Sequence, residues 1–323
     1  MRQFALFAAL CLLSLAGSAA SPFDGAPAAP PGYATVQEVH DALLKGEVAM
    51  IKAPDTPPDS VAITKDLVYA SPDGQDLKLD LFEPKDAKQA RPLLLFIHGG
   101  GWKKGKKEDY IYYNLKFAEL GYVTASMQYR LAPDHHFPKA LQDVRCALAY
   151  LRTHAAEHHI DATKIAVLGG SAGGHLSLMA GYATDPALSC PGAAPEVSGP
   201  VQAVVNFYGV VDCTPEYARE AGEVTGFLGT TWAENPEIFK QASPIFHLAK
   251  GAPPTLTFHG TIDELVPIEQ ADQLHKKLDE LGVPNYCDRV EGWPHTMDLA
   301  VPVNARCCYV IEKFLAMHLP LPK

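Results

Sequence analysis

From Leu67 onward the chain first alternates apolar and polar residues and then runs apolar without interruption. "LVYAS", the turn "PDGQ" and "LKLDLFEP", with Leu77, Leu79 and Leu81 on one face, predict an antiparallel hairpin with a single buried side at the edge of a sheet. After it come "LLLFI" (93–97), "VTASMQY" (123–129), "IAVLG" (165–169), "VQAVVNFYG" (201–209) and "TLTFHG" (255–260), the runs expected of strands covered on both faces. Helical spacing separates them. Pro138 opens a segment with Leu141, Val144, Leu148 and Leu151 on one face, and Pro267 opens another with Ile268, Ala271, Leu274, Leu278 and Leu281, closed by Gly282. A helix of small residues fits Ala172 to Tyr182, and a last one fits Val303 to Leu315. The alternation predicts an α/β fold: a mostly parallel central sheet, helices on both faces and an N-terminal antiparallel hairpin, in one domain over residues 61–323.

Two segments precede that domain. Residues 1–20 carry Arg2, an apolar stretch from Phe4 to Leu15 and the small residues "GSAA", the layout of a signal peptide cleaved after Ala19 or Ala20, and shorter than the ~20 apolar residues of a membrane span. The expected location is secreted or periplasmic, with no stable membrane anchor. Residues 21–60 are rich in Pro and Ala and read as a mobile leader with one helical stretch near Val36 to Leu44.

The formal charge of −10 argues against a nucleic-acid partner, since phosphate rewards a basic face. Export would let some cysteines pair. Arithmetic offers Cys190 with Cys213 and Cys287 with Cys307 or Cys308, and leaves Cys146 as a small buried hydrophobe. No cysteine has zinc-ligand spacing, and His154, His158 and His159 read as a solvated helix end, so no metal is expected. Lys103, Lys104, Lys106 and Lys107 read as a solvated loop, or as a basic patch that steers an acidic substrate.

The chemistry lies at the strand ends. Gly169-Gly170-Ser171-Ala172-Gly173 follows an apolar strand and opens a helix, the setting in which G-x-S-x-G raises a serine on a tight turn. A serine hydroxyl needs a base, and the base needs an acid to hold its tautomer. His295 in "GWPHTMD" is the candidate base and Asp263 in "HGTIDELVP" the candidate acid, with Glu264, Asp212 and Asp298 as spare carboxylates expected to be solvated. "HGGGW" at 98–102 ends a strand in three glycines, whose backbone N–H groups can face a developing oxyanion: Gly100 and Gly101 are the candidate donors, with Ala172, and His98 is expected to shape the loop. Trp102, Tyr208, Trp232 and Trp293 are candidate pocket walls for substrate.

In family order, "HGGGW", "SMQYRLAPDHHFPKALQDVRCALAYL", "GGSAGGHL", "FLGTTWAENPEIFKQASPIFHL", "HGTIDELVP" and "PHTMD" resemble the α/β-hydrolase esterases with an HGGGW loop, from about residue 66 to 318. The likeness is nearest to bacterial esterases similar to acetyl-xylan and feruloyl esterases, with the hormone-sensitive-lipase-like enzymes next. It implies a serine carboxylic-ester hydrolase without cofactor, working through an acyl-enzyme formed on Ser171 with His295 and Asp263, on short-acyl or carbohydrate-linked esters. Arylformamidase-like amide hydrolysis and prolyl-oligopeptidase-like peptidase activity are the alternatives, and a noncatalytic binding protein on the same scaffold is the third.

Overall fold

The computed structural model describes residues 20–322, so the expected signal peptide lies, but for its last residue, outside the described residues. In chain order the elements are α1 (Val36–Leu44), β1 (Val61–Ala70), β2 (Leu77–Pro84), β3 (Arg91–Ile97), α2 (Ile111–Glu119), β4 (Val123–Met127), α3 (Lys139–Thr153), β5 (Ile160–Gly170), α4 (Ala172–Tyr182), β6 (Ala203–Phe207), α5 (Glu216–Arg219), α6 (Gly222–Leu228), α7 (Pro236–Gln241), β7 (Thr255–Gly260), α8 (Glu269–Glu280), β8 (Asn285–Val290) and α9 (Val301–His318).

The eight strands form one sheet in the order β1-β2-β4-β3-β5-β6-β7-β8. β1 and β2 pair antiparallel, β2 runs antiparallel to β4, and the remaining pairs are parallel. Both faces are covered, as the unbroken apolar runs require. In β3, Leu93, Leu95 and Ile97 point to a core shared with α3 and α4, while Leu94 and Phe96 point to a second core shared with α2 and α9. The strand order reverses at β3, with β4 on one side and β5 on the other. The chain leaving β3 leads to α2 on one face and the chain leaving β5 leads to α4 on the other, the arrangement in which α/β proteins bind ligands at the carboxyl edge of the sheet.

The structure corrects three expectations. First, residues 20–60 pack against the domain. Val39 and Ala42 of α1 are buried, Tyr33 N–H donates to Gly292 O, Ile51 N–H donates to Leu299 O, and Met50 forms a bridge with Ala300. Each Pro lacks a backbone N–H, but the other residues of the segment keep theirs, and here their partners come from residues 292–301.

Second, among the described residues the disulfide joins Cys146 to Cys190, with Cα atoms 4.8 Å apart, whereas Cys213, Cys287, Cys307 and Cys308 form none. Cys146 is thus not a buried hydrophobe but the anchor on α3 for the loop after α4. Third, the lysine run is not uniformly solvated. Lys107 is buried and bonded to Asp80 and Glu108, and although burial alone would lower its pKa, these partners raise it. Lys103 pairs with Glu223 of α6 at 2.8 Å, both side chains half exposed.

Candidate active site

Ser171 joins β5 to α4 with φ 55° and ψ −119°, a left-handed backbone that a serine rarely adopts. Backbone bonds hold it there: Ser171 N–H donates to Phe207 O, and Ser171 O accepts from His175 N–H, both at 2.9 Å. Such strain persists only where the surroundings over-determine it. The loop after β3 lies directly against this turn. A β-carbon at Gly99 would fall 2.7 Å from Gly170 O and 3.5 Å from Ser171 Cβ, so a side chain there would push the loop off the elbow.

Gly100 and Gly101 follow with φ 103° and 60°. Among the described residues their N–H groups and that of Ala172, at the first position of α4, take no hydrogen-bond acceptor. His98 braces the loop. Its Nδ1 meets Gly99 O at 2.8 Å, its ring stacks on Tyr129 at 4.2 Å, and Tyr129 donates to His98 O; burial lowers the imidazole's pKa.

Asp263 follows the end of β7. Its Oδ1 accepts from the N–H groups of Leu265 and Val266 at 2.9 Å each, and its Oδ2 meets His295 Nδ1 at 2.7 Å. His259 Nε2 lies 3.3 Å from the same oxygen and 2.7 Å from Val266 O, two acceptors that require the proton to sit on that nitrogen. Burial would raise the Asp263 carboxyl, yet bonds from His259 and His295, the imidazole charge and the Val266 N–H bring it down to about 2. An ionised Asp263 keeps the His295 proton on Nδ1 and leaves a lone pair on Nε2. His295 bonds Asp263 through Nδ1, and among the described residues the Ser171 hydroxyl has no hydrogen-bond partner, so its link to His295 is not closed at hydrogen-bond distance. Catalytic hydrogen bonds of this kind often tighten only when substrate binds.

The four aromatic candidates separate. Tyr208 lies at the site, its ring centroid 4.5 Å from that of His295. Trp102 is buried, stacked on Phe227 at 4.5 Å, and donates from Nε1 to His175 Nδ1 at 3.2 Å, so it ties the glycine loop to α4 and α6 rather than walling a pocket. Trp293 is buried too, edge-on to Tyr33 at 5.6 Å. Trp232 packs on Phe239, with the Arg219 guanidinium 5.4 Å from its ring, inside the segment between β6 and β7.

Of the spare acids, Asp212 accepts from Thr214 in its own turn and Glu264 is exposed. Asp298 overturns its expectation. It is buried and accepts from two tyrosine hydroxyls. Two further groups escaped the sequence reading. His175 receives the Trp102 bond and meets Ala242 O at 2.6 Å through Nε2, with burial lowering it to about 4. His259 is bonded to Asp263. Each stands beside a glycine of a motif, "GGHL" and "HG", which was the available signal.

A cleft of ≈ 990 Å³ runs over α3 between the hairpin end at Tyr69 and the disulfide at Cys190. It contains none of Ser171, Asp263 or His295, so the bonded geometry, not the volume, marks the candidate site.

The BD-FAE family model matches residues 79–278, more than half of the chain. The chain belongs to the BD-FAE family. The matched span of this BD-FAE protein holds Ser171 and Asp263 and stops short of His295. The protein is 35% identical to esterase LipC of Mycobacterium tuberculosis, over 76% of its own chain and 66% of LipC, and 33% identical to esterase LipQ of the same organism, over 76% and 60%. It spans less than two thirds of the length of those curated relatives. It superposes with a TM-score of 0.71 on esterase 2 of Thermogutta terrifontis phosphoramylated by tabun, 28% identical, covering 84% of this chain and 100% of that one. The fold is the α/β-hydrolase fold of these esterases. Among the described residues no helix is long and apolar enough to cross a membrane.

Proposed function

We propose that the protein is a serine carboxylic-ester hydrolase acting on short-acyl or carbohydrate-linked esters such as acetyl or feruloyl esters. The observation that carries this reading is the His295 Nδ1 to Asp263 bond of 2.7 Å at the carboxyl edge of the sheet, where the glycine loop touches Ser171. His295 Nε2 takes the Ser171 proton as Oγ attacks the ester carbonyl, and the N–H groups of Gly100, Gly101 and Ala172 face the oxyanion. The imidazolium passes its proton to the departing alkoxide, leaving an acyl-enzyme. Water attacks that ester with the same histidine as base, and the acid leaves with Ser171 restored.

The short-acyl preference draws on the Thermogutta terrifontis esterase 2 structures with propionate and butyrate bound. The disulfide between Cys146 and Cys190 supports a secreted or periplasmic location, since such bonds persist in oxidising compartments. The test is a panel of nitrophenyl esters from acetate to laurate beside acetylated xylan and methyl ferulate. Ser171→Ala is expected to lower kcat by a factor of about 10⁵ to 10⁶. An unchanged rate in the folded variant overturns the assignment, and a preference for long chains moves the substrate to lipids.

A further inference from the structure

Next to His295, reached through the Tyr208 ring, lies a polar cluster that takes no part in the proposed proton transfers. Asp298 is three residues beyond His295 and buried. Its Oδ1 accepts from the Tyr208 hydroxyl, and its Oδ2 accepts from Tyr113 at 2.9 Å. Asn304 Nδ2 donates to the Tyr113 hydroxyl at 2.9 Å, which leaves that hydroxyl's own proton for Asp298. Each carboxyl oxygen thus already has a donor, and a proton on Asp298 would face a phenol instead of an acceptor. The arrangement suits the carboxylate.

Tyr208 couples this charge to the active site. Its ring lies 4.5 Å from His295 at an angle of 56°, and its backbone is held at φ 42°, a left-handed value that costs energy in a bulky residue. A bond from its own N–H to Phe258 O at 2.9 Å and the hydroxyl bond to Asp298 hold it there. Space for the hydroxyl comes from the elbow. A β-carbon at Gly170 would fall 2.9 Å from the Tyr110 hydroxyl and 3.0 Å from that of Tyr208. The residue next to the nucleophile is therefore bare on the side where two phenols approach it.

From this geometry we infer that Tyr208 and Asp298 are positioning residues for the proposed hydrolysis: a buried carboxylate, relayed through a phenol ring against His295, favours the imidazolium that forms as Ser171 loses its proton. At a centroid separation of 4.5 Å the ring lies within the range over which an aromatic attracts a cation, and the bond to a carboxylate makes it more electron-rich. The titratable groups around His295 are Asp263 and His259 from the end of β7, Tyr208 from the end of β6, Tyr110 just ahead of α2, and Asp298 from its own loop. Asp263 orients the imidazole through a direct bond. Asp298 acts on the charge alone, without contact to substrate.

The inference rests on the esterase reading, so its test includes a readout independent of turnover. The imidazole of His295 is titrated by NMR in the wild type, Asp298→Asn and Tyr208→Phe, and competent sites are counted by stoichiometric labelling of Ser171 with a fluorophosphonate. Both variants are expected to move the His295 midpoint to lower pH and to lower kcat about tenfold with little change in KM. A lower unfolding temperature with an unmoved midpoint and unmoved kcat shows a merely structural role and overturns the inference. If Asp298→Asn does not fold, Tyr208→Phe, which keeps the ring volume, decides alone. A wild type that takes no fluorophosphonate and cleaves no ester instead overturns the esterase reading, whatever the titration shows.

Discussion

Two buried carboxylates reach one histidine, Asp263 by a direct bond and Asp298 through the Tyr208 ring, and they are held in opposite ways. Asp263 sits at the end of β7 and collects backbone N–H groups and two imidazoles, which overcome burial and bring it down to about 2. Asp298 collects two phenols, and burial outweighs them, pushing its carboxyl above the ordinary range. Asp298 is the deeper of the two, 1% exposed against 8%, and its phenols stabilise a carboxylate less than the amides and imidazoles at Asp263, so the two shifts are opposite. Depth and donor type together separate the acid that orients the histidine from the one that only biases its charge.

The largest break in this comparison is Asp263→Asn. With no carboxylate on Nδ1 the imidazole can take the wrong tautomer, and kcat is expected to fall by about 10⁴, against the roughly tenfold effect at Asp298. Steady-state kinetics on nitrophenyl acetate compare the two directly, and similar losses would erase the distinction.

A sharper test uses pH. Asp263, whose folded pKa is depressed, contributes stability above the unfolded carboxyl value of about 4 and loses it as pH falls toward about 2; the effect is roughly 2 kcal/mol. Asp298 has the opposite sign. Its raised value favours the folded state most below about pH 4, and that contribution fades as pH rises through the folded value. Thermal unfolding from pH 2 to 7 should show Asp263→Asn flattening the acid limb and Asp298→Asn removing a decline above it. The same slope in both variants would mean that the two sites do not differ in ionisation.

The smallest effect probes the loop that carries His295 and Asp298. Tyr33 packs edge-on against Trp293, two residues before His295. Tyr33→Ala is expected to cost about 1 kcal/mol of stability, read by denaturant unfolding, while leaving the ratio of the two carboxylate effects unchanged.

Much of the fold was legible because period and burial are local signals. The run at 255–260 coincides with β7, the small-residue helix coincides with α4, and the helix near Val36 to Leu44 coincides with α1. α2 and the short helices α5 to α7 were not read. α2 mixes Tyr, Asn and Lys among its apolar residues, and α5 to α7 span only four to seven residues, too few for periodicity to register. The elbow and the glycine loop were visible as strings, and Asp263 and His295 as a chain order. Asp298 was visible only as a spare acid, since nothing nearby in sequence says that Tyr113 and Tyr208 will reach it.

By itself the sequence determined the layered α/β architecture and the residue types at the strand ends, because hydrophobic period and glycine's small size act on neighbours in the chain. Only the tertiary structure decided which cysteines pair, that residues 20–60 lie against the 292–301 loop, that Lys107 is buried among acids, and that a second carboxylate reaches the histidine through the Tyr208 ring. Those outcomes depend on partners distant in the chain, 27 residues for Lys107 and Asp80, 44 for the paired cysteines and 185 for Tyr113 and Asp298, whose approach is set by the packing of the whole sheet and its helices.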